Sequence, residues 1–264
     1  MGNIKLLVTD MDNTLLNSEF KISGENISVI KRFIAEGRLF TVATGRSIHS
    51  IELYDELVEL INAPAILYNG AIIYDLKKKK VVYQHPMVLG IEKVLHELVK
   101  QFPALGVSVF HDDDIYYINE NDFLLGHSKR EHYAPIFTTV DEIPKPFLKV
   151  LTAGKRELLS EVERFLISRA DYFRVVYSEK HYLEILNKDV SKGSSLKMLA
   201  EMLCVPLERT LAVGDNLNDK ELLETAGIGV AVANANVDLL HFADAVCCGN
   251  DEHAIAYCIT NYSN

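Results

Sequence analysis

The sequence predicts an α/β fold, a Rossmann-like doubly wound parallel sheet interrupted by an inserted α+β domain. Three observations lead there. Apolar runs of strand length alternate with helical patterns over the first third of the chain. The same alternation returns near the C-terminal end. Between them, strands follow one another without intervening helices, the order of an antiparallel sheet.

IKLLVTD (4–10) reads as a buried strand. ENISVIKRFIAEG (25–37) reads as a helix, because Ile27, Ile30, Phe33 and Ile34 repeat at helical spacing and Gly37 supplies a stop. RLFTVATG (38–45) is a second strand, 47–61 a second helix, and AILYNG (65–70), after Pro64, a third strand. Strand and helix in this rhythm imply right-handed crossovers and a parallel sheet. Toward the C-terminus come a helix over 193–203, the strand TLAVGD (210–215), a helix over 217–226, the strand IGVAVA (228–233) and two short helical segments. Residues 1–84 and 187–264 therefore form one α/β domain and 85–186 the insert.

The hairpin pattern AIIYDLKKKKVVYQ (71–84) leads into the insert, with its lysines at a solvated tip. Within the insert lie a helix over 90–101, strands in VSVFHDDDIYYI (107–118), a polar helix over 122–132 and the strand FLKVLTAG (147–154). A helix over 156–169 and the strands YFRVVYS (172–178) and YLEIL (182–186) complete it. This order predicts an antiparallel sheet with helices on one face. His111 beside Asp112, Asp113 and Asp114 reads as an acidic turn rather than a metal site.

Composition narrows the function. With 264 residues, 48% hydrophobic and 24% charged, the chain is globular and large enough for one big domain or two smaller ones. No apolar run reaches the ~18 to 20 residues of a membrane span. MGNIKLLVTD lacks signal-peptide features and MGNIKL lacks the Ser or Thr of a myristoylation signal, so a cytoplasmic protein is expected. Cys204, Cys247, Cys248 and Cys258 show no metal spacing and read as free thiols. A net charge of −10 argues against a nucleic-acid surface. A small anion can still be bound where cations are concentrated locally.

In a doubly wound sheet, ligands bind beyond the carboxyl ends of the strands. Those ends carry Asp10, Asp12 and Thr14; Thr44, Gly45 and Arg46; Asn69 and Gly70; and Gly214, Asp215, Asn218 and Asp219. The carboxylates of Asp10 and Asp215, with the backbone carbonyl of Asp12, suit a hard cation such as Mg²⁺. A carboxylate beside that cation can attack phosphorus, and a second one two positions on can protonate the leaving oxygen. Thr44 and the amides near Gly45 can hold a phosphoryl group, and Lys192, opening a helix beside Gly193, supplies a compact positive charge. Asp219 is placed to hold that lysine or a metal-bound water.

DMDNT, TGR, SKG and GDNLND, in this order, resemble the four motifs of the haloacid dehalogenase superfamily of phosphatases, and the insert resembles the large cap of its Cof-type branch. The resemblance implies that Asp10 is the nucleophile, Asp12 the general acid/base, Thr44 and Lys192 phosphate ligands, and Asp215 a Mg²⁺ ligand. It further implies that Asn218 touches the phosphate and Asp219 supports Lys192 or the metal. Thr14 is expected to hold the loop. Arg46, Asn69 and Glu184 are candidates for substrate contact, as are His111, Tyr116 and Tyr182. The family usually has glycine where this chain has Asn13, a residue that tolerates left-handed backbone. The implied activity is hydrolysis of small phosphomonoesters, sugar phosphates or phosphorylated cofactors, through an aspartyl phosphate. A phosphomutase of the same superfamily and a non-catalytic regulator that binds a phosphorylated metabolite are the alternatives.

Overall fold

The computed structural model describes residues 4–88, 90–169 and 172–263. Met1, Gly2 and Asn3, which carry part of the N-terminal signal and lipidation readings, lie outside them. The first apolar run forms β1 (Leu6–Thr9), fully buried, followed by a wide helical turn at Met11–Leu15. Next comes α1 (Gly24–Ala35), whose start is fixed by Ser23, its side chain accepting from the amide of Asn26. After β2 (Leu39–Val42), the helix expected over 47–61 forms as two, α2 (Ile48–Glu52) and α3 (Asp55–Leu60), with Tyr54 in non-helical backbone between them.

The chain continues through β3 (Ala65–Leu67), β4 (Ile72–Asp75), β5 (Lys80–Gln84), α4 (Ile91–Gln101), β6 (Gly106–His111) and β7 (Asp114–Asn119). Then come α5 (Asp122–Arg130), β8 (Ile136–Phe137), β9 (Lys149–Ala153), α6 (Arg156–Ile167), β10 (Phe173–Glu179) and β11 (Tyr182–Asn187). The last stretch holds α7 (Lys192–Met202), β12 (Thr210–Gly214), α8 (Lys220–Thr225), β13 (Ile228–Ala231), β14 (Ala245–Val246) and α9 (Ala254–Tyr262). Two compact units result. One comprises the residues up to Gly45, Ile51–Gln84 and those from Ser191 onward; the other comprises Arg46–Ser50 and His85–Val190.

The first unit carries a parallel sheet in the order β14-β13-β12-β1-β2, with α1 and α9 packed on one side and α7 and α8 on the other. Leu6, Val8, Ala212 and Ala231 of the sheet pack with Leu196, Leu199, Leu222 and Leu223 of α7 and α8. The third strand departs from the expected parallel rung. It meets the sheet by a single parallel bridge, Ala43 to Ile66, and otherwise pairs antiparallel with β4, which pairs with β5. The reason is local: Tyr68, Asn69 and Gly70 have φ of 53, 54 and 103°, a left-handed run that reverses the chain after three strand residues.

The second unit is a six-stranded sheet, β10-β11-β9-β6-β7-β8, antiparallel except where the short β8 joins β7. One face is covered by α4 and α6: Leu95, Leu98, Leu159 and Val162 pack with Val107, Val109, Val150, Leu183 and Ile185. The expectation of helices on one face alone needs correction, because α5 lies on the other. Alternate strand residues point that way, and two tyrosines among them, Tyr117 and Tyr182, donate their hydroxyls to main-chain carbonyls of Leu124 and Phe123 at 2.7 and 3.0 Å. All four cysteines are free thiols. No described helix is long and apolar enough to cross a membrane.

Candidate active site

Parallel strands in matched register end together, and that sets the site. Thr9 of β1 lies opposite Val42 of β2 and Val213 of β12, so Asp10, Thr44 and Asp215 leave the sheet along one edge. The amide of Asp10 donates to the Val213 carbonyl at 2.8 Å, which fixes the root of that carboxylate against β12.

Lys192 reaches the same edge from α7. It occupies the first helical position because Ser191 caps the helix: the Ser191 hydroxyl accepts from the Ser194 amide at 3.0 Å and the Ser194 hydroxyl from the Ser191 amide at 2.9 Å. Gly193 follows where a Cβ would collide with the Glu221 carbonyl, so only glycine lets α7 approach α8 this closely. The lysine is fully buried and its Nζ donates to Asp10 Oδ1 and Asp219 Oδ1, both at 2.5 Å. Asp219 is equally buried; its second oxygen accepts from the amides of Asp215 and Asn216 at 3.1 and 3.2 Å. Gly214 leaves room for it, since a Cβ there would lie 2.6 Å from the Cβ of Asp219.

Carboxylate oxygens of Asp10, Asp215 and Asp219 all lie within 4.8 Å of one another. Three acids thus share one lysine. Burial pushes the Asp10 carboxyl up to about 7, with Lys192 pulling it down and Asp219 and Asp12 adding to the rise. Burial also holds Asp215 well above the carboxylate range, helped by Asp10 and Asp219. For Lys192, burial alone would favour the neutral amine, but Asp10 and Asp219 more than reverse it and raise the amine. The lysine is therefore held as the ammonium, while burial favours the protonated forms of Asp10 and Asp215. Hard oxygen donors, those of Asp10 and Asp219 buried and that of Asp215 half-buried, with three acids to one lysine, fit a divalent ion such as Mg²⁺.

Around this cluster the structure gathers most of the residues singled out in the sequence. Thr14 is buried and its hydroxyl makes a long contact, 3.5 Å, with Asp215 Oδ1. Thr44 is buried, and its carbonyl accepts from the Asn69 amide at 2.9 Å. A Cβ on Gly45 would lie 3.1 Å from Asn69 Nδ2. Asn218 donates to Asn69 Oδ1 at 3.1 Å, while its own Oδ1 is buried without a partner. Asp12 is half-buried, its side chain outside the carboxylate trio. Its expected place at a cation was through its backbone carbonyl.

Arg46 and Glu184 belong to the second unit. Arg46 donates to Ser50 Oγ at 2.8 Å and lies 3.7 Å from Glu131, and Glu184 accepts from Lys149 at 2.9 Å, all four charged groups buried. His111 sits before the turn between β6 and β7, its Nδ1 on the Pro146 carbonyl at 2.9 Å. Tyr116 lies in the core cluster under α4 and α6, and Tyr182 is taken up with α5. Two residues escaped the sequence reading. Ser195 donates to the Gly70 carbonyl at 2.6 Å, tying α7 to the left-handed turn. Asn234, just past the end of β13, bonds to the turn after β1. The strand-end rule that picked Asp215 after β12 would have found it.

Residues 7–259 match the family model of haloacid dehalogenase-like hydrolases. Phosphatase YwpJ of Bacillus subtilis is 30% identical, with 96% of this chain and 98% of that protein covered. A haloacid dehalogenase-like hydrolase from Bacillus subtilis superposes with a TM-score of 0.85 at 30% identity, over 98% of this chain and all of the other. One from Bacteroides thetaiotaomicron gives 0.85 at 28% identity, over 97% and 98%.

Proposed function

The chain belongs to the haloacid dehalogenase-like hydrolases and is a phosphatase, and on that premise we propose that it is of their Cof-type branch and hydrolyses small phosphomonoesters through an aspartyl phosphate on Asp10. The observation that carries this reading is the buried cluster in which Lys192 Nζ lies 2.5 Å from both Asp10 and Asp219 while Asp215 has no lysine of its own in the trio. Such a cluster has a place for a cation and, with the lysine, for an anion.

Asp10, Asp215 and the Asp12 carbonyl would hold Mg²⁺, which supplies positive charge to the phosphoryl oxygens. Lys192 balances the charge that builds on the phosphoryl group, and Asp219 keeps the ammonium aimed by accepting a hydrogen bond from one of its N–H groups. Thr44, the Gly45 amide and Asn218 add hydrogen bonds to the phosphoryl oxygens. Asp10 attacks phosphorus as the leaving oxygen departs, and Asp12 gives that oxygen its proton. Asp12, now a carboxylate, then takes a proton from the water that attacks the acyl phosphate, releasing phosphate and restoring Asp10.

The substrate classes are sugar phosphates and phosphorylated cofactors. Release of inorganic phosphate from a panel of such metabolites, with Mg²⁺ and with a chelator, tests the reading. Phosphate released only with the metal, and lost in Asp10→Asn, supports it. An isomerised sugar phosphate without free phosphate would move the protein to the mutases.

A further inference from the structure

The turn that carries Asp12 is gripped from outside the four motifs. Asn13 sits at φ 55°, ψ 10°, a left-handed conformation that asparagine tolerates at some cost and glycine adopts freely. Its carbonyl accepts from Asn234 Nδ2 at 2.8 Å. Asn234 Oδ1 accepts in turn from the Asn250 amide at 2.9 Å, and Asn250 Nδ2 donates to the Leu16 carbonyl at 3.0 Å. The Leu16 amide closes the turn on Met11. Beyond it, Asp251 takes the amide and hydroxyl of Ser18 at 2.8 and 2.7 Å. Two linked asparagines thus bind the turn at its left-handed residue and at its end.

These bonds run to main-chain carbonyls rather than to the buried carboxylates. Asn234 is solvent-exposed, so the apolar core does not require it. What its bond opposes is relaxation of Asn13 to negative φ, which would rotate the adjoining peptide and swing Asp12. We infer that Asn234 and Asn250 are positioning residues for Asp12, a role that rests on Asp12 being the group that protonates the leaving oxygen.

The test exploits the leaving group. p-Nitrophenolate departs without a proton, whereas the alkoxide of glycerol phosphate needs one. Asn234→Ala and Asn250→Ala should lower kcat/KM, which covers only the steps through departure of the leaving group and not the later hydrolysis that also uses Asp12, by about tenfold or more on glycerol phosphate and by less than about threefold on p-nitrophenyl phosphate. Asn234→Asp, which keeps an acceptor for the Asn250 amide and loses the donor to Asn13, should behave as the alanine variant does. Equal losses of kcat/KM on both substrates, or no loss on either, overturn the inference. Asp12→Asn is the control and should show the same asymmetry, larger. If it does and the asparagine variants do not, only the positioning role falls; if Asp12→Asn shows none, the reading of Asp12 falls and takes this role with it.

Discussion

The two units bury charge in opposite ways. In the first, three carboxylates, Asp10, Asp215 and Asp219, lie together with one ammonium, Lys192, which pairs with Asp10 and Asp219. In the second, each buried acid among the described residues faces a buried base: Glu184 with Lys149 at 2.9 Å, Glu131 with Arg46 at 3.7 Å. A matched pair offsets part of its desolvation cost inside the protein, whereas an unmatched cluster is relieved by binding protons or a cation. The imbalance therefore marks where an ion belongs.

Substitution at the centre of the cluster should give the largest effect. Asp10→Asn keeps the shape but removes the attacking oxygen's charge, and activity should fall by about 10³-fold or more. In metal-free protein at mildly alkaline pH the same change should leave the thermal midpoint unchanged or raise it, since it removes one of three like charges. Phosphate release and a melting curve in chelator check both parts. A large drop in midpoint would mean that Asp10 is needed mainly as a partner for Lys192.

The second unit should respond the other way. Lys149→Met leaves Glu184 buried beside Leu151 and Tyr182 with its nearest ammonium gone, at a cost of about 3–5 kcal/mol. Adding Glu184→Leu should recover most of that loss, because an apolar pair of similar volume needs no compensation. Urea unfolding of the single and double variants measures the difference. A double variant as weak as the single would mean that Glu184 has a second essential partner.

The units should also answer pH with opposite signs. Asp10 is raised from 3.8 to about 7 in the native state, so between those values the native protein holds a proton that the unfolded chain has lost. Without metal, its contribution to stability therefore falls as pH rises from about 4 to 7. His127 in the second unit is lowered well below 6.5, by burial first and then by Arg130, Lys149 and Arg46. There the unfolded chain binds the extra proton, and stability is lost as pH falls below 6.5. Hydrogen exchange read separately in β1 and β9 across this range should show the two slopes. Mg²⁺, which needs the ionised acids, should raise the melting point more at pH 8 than at pH 6.

Much of this site was legible because strand ends are legible. Asp10, Thr44 and Asp215 follow apolar runs, and parallel register brings such ends to one edge whatever lies between them. The reversal at Tyr68–Gly70 was not, since its left-handed run includes a tyrosine, a residue that seldom marks such backbone. Nor was the Lys149–Glu184 pair: it depends on β9 lying beside β11, a neighbour relation set by the whole sheet. The break between α2 and α3 has no glycine or proline to announce it.

The smallest effect tests how finely Lys192 is aimed. Ser191 caps α7 and leaves the lysine at the first helical position, where its backbone is fixed but its side chain must still reach two carboxylates. Ser191→Ala removes one cap bond and should cost about 1 kcal/mol of stability. Asp10 and Asp219 still draw the ammonium inward, so kcat should drop by only about two- to fivefold. Ser191→Thr, which retains the capping hydroxyl, should restore both. A kcat loss as severe as that of Lys192→Met would make the cap, rather than the two carboxylates, the main determinant of where the lysine's charge sits.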